Sequence, residues 1–392
     1  MTCAFLNASH GVDLVQGGTV QTRWYDGTTY PAQRCVKCGH VFFPPPPVDE
    51  LNRHYQEAYP DAASSWYNVA ADYAPAKVTC RAGRVVAIAS RFGFGQAHHF
   101  HEVGCAFGGC VHELNRLGYR ATGTELNANA VKEGNARGNN AISSEEEIAY
   151  FERTGQRPHV VYGYHVLEHM TDPAAWLRDL APCLAPDSIV VMFVPNAMAL
   201  FPTTYGFERF IWFAFPEHLN LFSPRSALCL AQGAGYEIIG IETNPSNLTP
   251  EATARSLGEF PGTPVSRVVR DRLVTAGSMD EELVIVLARP DSLALTRDPG
   301  ALAAAKLRCL ANETFEAALR LAGETALSDP SVDGAPDEGE TGQRPRDTPD
   351  PLQEAELRAD RASAALRAIQ QSTFWRITAA PRRIIDRLKG RG

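Results

Sequence analysis

The chain predicts an α/β fold built on a largely parallel sheet, and three observations carry that reading. Apolar strand-like runs alternate with amphipathic helical stretches from His99 to Pro290. A glycine turn (Gly104, Gly108, Gly109) sits between the first such strand and its helix. The first two strands each end in an acid, Glu102 and Glu125, about twenty residues apart. Together they describe a nucleotide-type βαβ unit, with glycines that let a ligand lie against bare backbone and a second acid placed to accept from ribose hydroxyls.

In order along this region, strands are expected at 99–103, 119–125, 159–166, 188–195, 236–243 and 282–289, with a short one near Ala141. Helices are expected at 109–118, 128–137, 173–184 and 223–233. Between the last two strands lies only the polar stretch 250–276, so the final strand is free to enter antiparallel.

The flanks differ in character. Residues 1–47 are rich in turn formers and hold Cys35-Val-Lys-Cys38-Gly39-His40, which reads as a zinc-ribbon-like segment leaving through four prolines, Pro44 to Pro47. Residues 48–97 carry aromatics at loose helical spacing (Leu51, Tyr55, Tyr59, Trp66, Tyr67, Tyr73), expected to form a helical cover over the following domain at 98–290. Residues 291–322 read as a helix, and 323–351 as a disordered acidic linker poor in large apolar groups. Residues 352–392 return to helical periodicity and end in a basic amphipathic tail containing Trp375, Ile377, Ile384, Ile385 and Leu388. That tail is able to lie on an anionic membrane or dock a protein, and reads equally as a solvated helix end.

Bulk composition narrows the function classes. The chain has 392 residues, 44% hydrophobic and 21% charged, which is ordinary for a globular protein of two or three units. A net charge of -8 offers no general attraction to phosphate backbones, so nucleic acid is not expected as a partner. The apolar run Ser188 to Pro195 is far short of the roughly 20 residues a bilayer needs. The start, Met1 to His10, lacks a basic n-region and a sustained h-region, and nine scattered cysteines suit reduced thiols, so the expected location is cytoplasmic.

The segment Glu102-Val103-Gly104-Cys105-Ala106-Phe107-Gly108 resembles the acid-x-Gly-x-Gly-x-Gly motif of the class I S-adenosylmethionine-dependent methyltransferases, with Ala106 in place of the middle glycine. A longer match follows: Tyr164-His165-Val166-Leu167-Glu168-His169, then Asp172-Pro173, and Leu184 through Pro195-Asn196, similar to the "VLEH … PN" stretch of a large subgroup of those enzymes. A third piece, Phe215-Pro216-Glu217-His218-Leu219-Asn220, matches the acid-His pair that this subgroup sets over its methyl-acceptor pocket.

The resemblance implies a Rossmann-like seven-stranded sheet and S-adenosylmethionine as donor, held by Glu102, Gly104, Cys105, Gly108, Glu125, Leu126 and His165. It also implies His218 as general base with Glu217 in support, and His165 on the pocket wall, the acceptor being a nucleotide-linked sugar or a glycan of surface polysaccharide or secondary-metabolite synthesis. An imidazole titrating near neutrality suits the removal of one acceptor proton. For His165 a strand-end histidine satisfied by backbone is an equal reading, while for His218 a histidine that caps the loop before the Ser223 helix is the weaker alternative to a base. His169 reads as structural.

Within the same resemblance, sugar C-methyltransferases with an N-terminal zinc-binding domain suggest that Cys35 and Cys38 hold zinc, completed here by Cys3 and His10. A ribbon that holds by packing alone is the alternative. Two other functions stay open at this point. A nicotinamide oxidoreductase shares the glycine turn, although Glu102 before it would repel a pyrophosphate, whereas two acids suit a donor that carries an ammonium and a sulfonium. A non-catalytic scaffold of a polysaccharide assembly would use the two terminal segments.

Overall fold

A computed structural model describes residues 12–21, 29–35, 38–45, 47–53, 68–138, 141–199, 212–213, 215, 217–244, 282–298 and 300–309. The chain divides into two units, Met1–Pro250 with Ser278–Cys309, and Glu251–Gly277 with Leu310–Gly392. Every described residue belongs to the first. Cys3, His10, the linker 323–351 and the basic tail lie outside the described residues, as do Tyr55, Tyr59, Trp66 and Tyr67 of the expected helical cover.

Seven strands form the main sheet: β4 (His99–Val103), β5 (Arg120–Thr124), β6 (Ile142–Ser143), β7 (Val160–Tyr164), β8 (Ile189–Pro195), β10 (Glu237–Asn244) and β11 (Glu282–Ala288). Their order is β10-β11-β8-β7-β4-β5-β6. β4 pairs parallel with both β5 and β7, and β8 pairs parallel with β7. β11 is antiparallel to β8 and to β10, as the missing helical pattern before it allowed. The chain reverses its direction of travel across the sheet between β4 and β7. That switch point opens a crevice at the strands' C-terminal ends.

Side chains of β4, β7, β8 and β11 are buried at every position. Such strands sit between two layers of helices, which explains why they read as continuous apolar runs instead of alternating ones. On one face, α3 (Pro75–Arg91) starts with proline in its first turn and buries Val78, Ala82, Val85, Ile88 and Ala89, a stripe at three- and four-residue spacing. Phe94, Phe100, Val111, Leu114, Tyr162 and Phe193 share its core. On the other face α7 (Pro173–Leu180) and α8 (Pro224–Ala234) bury Leu177, Leu180, Leu230 and Ala231 against Val190, Met192 and Ile285.

Sequence-local signals set the helix ends. Asp172 caps α7, accepting from the Ala175 amide at 2.8 Å, with Pro173 in the first turn. Ser223 and Ser226 form a reciprocal capping box on α8, and Gly235 ends it at φ 78°. The helices α4 (Gly109–Arg116) and α5 (Ala128–Ala136) fall where expected. The expected helix at 173–184 stops being α-helical at Leu180 and finishes as a 3-10 turn, Ala181–Cys183, because Pro182 cannot donate to the ladder. Helix α6 (Glu147–Thr154) was not legible, since its cap is Glu146, accepting from the Ala149 amide, in place of Ser, Thr, Asp or Asn.

The N-terminal region forms a second sheet, β1 (Val12–Gln21), β2 (Thr29–Cys35) and β3 (Val41–Phe42), all antiparallel. It is completed by β9 (Asn220–Leu221), which lies in sequence between β8 and α8 and pairs with β3. The 1–47 segment is therefore joined to residues just after His218 by a strand pair. Ala32, Val41, Phe43 and Leu51 pack with Phe213, Phe215, Leu219 and Leu221 in a core of their own.

Candidate active site

The glycine turn begins where β4 ends. Gly104 lies at φ 61°, and a Cβ there would stand 2.6 Å from Cγ2 of Val166, so only glycine admits the loop after β7 so close. Ala106 also lies in the left-handed region, at φ 51°, at the position where the resemblance expects glycine. Gly108 caps α4 at φ 77°. The turn is held from β5: Glu125 accepts from the Ala106 amide with Oε2 and from the Asn127 amide with Oε1, both at 2.9 Å. Each oxygen keeps a further lone pair for a hydroxyl. Leu126 beside it is 53% exposed. The Cys105 thiol is buried, and its pKa is pushed up by burial and by the neighbouring acids Glu102, Glu125 and Asp72.

Glu102 is buried. Burial, with the nearby charge of Asp72, raises its pKa to about 8 against the pull of Arg81, Lys77 and the Tyr162 hydroxyl, which donates to it at 3.3 Å. Asp72 itself reaches the turn. It accepts from the Gly109 amide at 2.9 Å, at the start of α4, and pairs with Lys77 at 3.1 Å. Sequence reading did not single out Asp72, which ends the short helix α2 (Val69–Asp72).

A second group of side chains lies on the loop after β7. His165 is the only other non-glycine residue at positive φ among the described residues, at 56°. Its Nδ1 faces Glu168 Oε1 at 3.1 Å, and its Nε2 faces Glu282 Oε2 at 3.5 Å. Glu282 is fully buried and also pairs with Arg84 at 2.8 Å. Burial opposes charge on His165, but hydrogen bonding and attraction to Glu168 and Glu282 outweigh it and lift its pKa to about 9. His165 is thus an imidazolium between two carboxylates, with the Trp212 ring stacked on it at 4.7 Å.

The loop 165–170 is tied to the segment 217–222. Leu219 donates its amide to Glu168 O at 2.8 Å, and Asn220 donates its side-chain amide to Met170 O at 2.6 Å. His169 Nδ1 meets Glu217 O at 2.7 Å, and His218 Nδ1 meets Trp212 O at 2.7 Å. A carbonyl only accepts, so both Nδ1 atoms carry the proton and both Nε2 atoms carry the lone pair. Burial lowers the pKa of His218 to about 3 and also lowers that of His169. Burial raises the Glu217 carboxyl. His218 is therefore neutral and a weak base in this state. Glu168, His169 and His218 bring their ligand atoms within 4.8 Å of one another.

Two further histidines and the cysteine pair sit elsewhere. His99 and His101 are buried within the sheet, bonded to Thr122 and Thr124. Cys35 and Cys38 flank a tight loop in which Cys35 donates to His40 O and Gly39, at φ 70°, donates to Cys35 O, both at 2.9 Å. Both cysteines are buried.

Residues 91–241 match the family described as a methyltransferase domain. Among solved structures, an S-adenosylmethionine-dependent methyltransferase from Archaeoglobus fulgidus is 15% identical, with 54% of this chain and 93% of that chain covered at a TM-score of 0.37. A magnesium protoporphyrin IX methyltransferase from Synechocystis PCC 6803, with bound S-adenosylhomocysteine, is 13% identical, with 62% of this chain and 100% of that chain covered at a TM-score of 0.41. No curated protein matches the chain.

Proposed function

We propose that this chain, whose residues 91–241 match a methyltransferase domain, transfers a methyl group from S-adenosylmethionine to an oxygen or carbon of a nucleotide-linked sugar or glycan. The observation that carries this reading is the joining of two features at the C-terminal ends of the parallel strands. The Gly104 turn touches Val166, and Val166 belongs to the same loop as His165, Glu168 and His169. This contact supports reading the turn as a donor cradle and the loop after β7 as the acceptor side of one crevice.

The residues of the turn fit this donor. Two carboxylates, Glu102 and Glu125, face a turn with little side-chain bulk, which favours a ligand with a cationic end and ribose hydroxyls over a pyrophosphate. When bound, S-adenosylmethionine supplies a methyl group on a sulfonium. Glu125 would hold the ribose, Gly104, Cys105 and Gly108 the close-lying backbone, Leu126 the base, and Glu102 the methionine ammonium. On the acceptor side His218 would present its Nε2 lone pair to the acceptor proton, with Glu217 beside it and the charged His165 fixing the wall. Alignment is the larger part of such catalysis, since a sulfonium needs little further activation.

A structural zinc in the Cys35–Cys38 loop, completed by Cys3 and His10, belongs to the same proposal. The glycine-containing loop between the two buried thiols supports it. Stoichiometric zinc lost in Cys35→Ser/Cys38→Ser would agree, and zinc-free protein of full stability would refute it. Among the described residues no helix is long and apolar enough to cross a membrane, and the basic tail is proposed as a peripheral membrane or protein contact. The acceptor is tested by incubating the chain with labelled S-adenosylmethionine and a panel of nucleotide sugars. Label in a sugar supports the reading. Label only in non-sugar acceptors, or donor binding with no transfer to any acceptor as a scaffold would give, refutes it.

A further inference from the structure

We propose that Glu168, His169 and His218 form a binding site for a divalent transition-metal ion of the zinc, manganese or iron class. Glu168 is fully buried, and its two oxygens differ in kind. Oε1 faces His165 Nδ1 at 3.1 Å, while Oε2 has no hydrogen-bond partner among the described residues. A carboxylate oxygen left so is costly, by about 1 to 3 kcal/mol or more for a charged group. It invites a cation.

The two imidazoles meet the same need. Backbone carbonyls of Glu217 and Trp212 take the Nδ1 protons, so each ring is held in the tautomer that carries its lone pair on Nε2. A second group that fixes the tautomer and turns the ring is the usual support of a metal-bound histidine. Two imidazole nitrogens and one carboxylate suit zinc, iron or manganese better than calcium or magnesium. Ligand atoms on such a metal stand roughly 3 to 4 Å apart, given bonds of about 2.0 to 2.2 Å. The observed span of 4.8 Å closes with a small contraction.

Three protein ligands leave coordination positions open, the arrangement of a metal that also binds water or substrate. A buried donor is at hand for that substrate: the indole N–H of Trp212, whose ring stacks 5.8 Å from that of His218, has no acceptor among the described residues. This inference rests on the methyltransferase reading for its role and changes the part that His218 plays in it. The metal would bind the acceptor through an oxygen and ease loss of its proton to solvent, and His218 would serve as ligand to the metal instead of as a free base.

The probe is Co2+, titrated into the full chain freed of metal, with visible absorption and calorimetry as readouts. The expected result is one equivalent bound with nitrogen and oxygen ligands, distinct from any cobalt held in the Cys35–Cys38 loop, whose thiolate charge-transfer band is lost in Cys35→Ser/Cys38→Ser. His218→Ala and His169→Ala should each weaken that equivalent by about 100-fold or more, while Cys35→Ser/Cys38→Ser leaves it unchanged. S-adenosylhomocysteine titration of the same variants serves as the folding control and separates the two readings. Donor binding without any nitrogen- and oxygen-ligated cobalt overturns the metal site and leaves the methyltransferase reading intact. Cobalt bound with equal affinity by variants that still bind S-adenosylhomocysteine overturns it as well. Cobalt bound where S-adenosylhomocysteine is not would keep the site and remove its proposed role.

Discussion

Glu102 should make donor binding depend on pH in a definite direction. Its pKa stands at about 8 where an ordinary glutamate has 4.5, so ionising it in the free protein costs about 5 kcal/mol more than in water. At pH 7 roughly nine-tenths of the free protein therefore holds this proton. A cationic ammonium placed beside the carboxylate favours the charged form and expels the proton. Calorimetric titration with S-adenosylhomocysteine at pH 7, in buffers of different ionisation enthalpy, should show release of about one proton per ligand bound. Affinity should rise by about tenfold per pH unit between pH 6 and 8 and level off above. Glu102→Gln should remove both effects while keeping the acceptor for Tyr162. Proton uptake, or an affinity independent of pH over that range, would refute the placement of Glu102 against the ammonium.

Other outcomes follow from single positions. Ala106→Gly removes a left-handed alanine at φ 51°, relieving about 1 to 2 kcal/mol that the greater freedom of glycine in the unfolded chain partly cancels. Thermal unfolding should shift upward by about 1 to 3 °C, and a lower midpoint would show the alanine methyl to be packed. Glu147 is buried beside the Trp176 indole, and its pKa is raised to about 7, chiefly by burial. The folded state holds that proton more tightly than the unfolded one. Stability is therefore greatest below the unfolded value of about 4.5 and falls by up to about 3 kcal/mol as pH rises through 7. Glu147→Gln should be more stable than the native chain at pH 8 and equal to it at pH 4.5 in urea titrations, and equal loss at both would refute the burial argument.

The main sheet was legible because its strands are buried on both faces and its helices carry ordinary caps. Runs such as Ile189–Pro195 and stop signals such as Gly235 leave little choice of element. The antiparallel β11 was legible for the opposite reason, the lack of a helix-length apolar pattern in the sequence before it. The site was only half legible. Glu102, Gly104 and Glu125 lie on one motif, where local geometry and sequence spacing coincide. Asp72, Arg84, Glu282 and Trp212 reach the crevice from elements far away in sequence, and no local pattern marks a charged residue as buried. Glu282 opens a strand that otherwise reads as plain core. His169 read as structural because its neighbour His218 is 49 positions on, and only the pairing of β9 with β3 and the bonds from the 217–220 segment bring the two together.

The central claim is that the turn between β4 and α4 holds S-adenosylmethionine with Glu125 on its ribose. Calorimetric titration of S-adenosylhomocysteine into the native chain and Glu125→Ala tests it most directly. The native chain should bind in the micromolar range, about 8 kcal/mol, and loss of two charge-assisted hydrogen bonds should weaken the variant by about 100-fold. No binding by the native chain, or equal binding by both, would contradict the account.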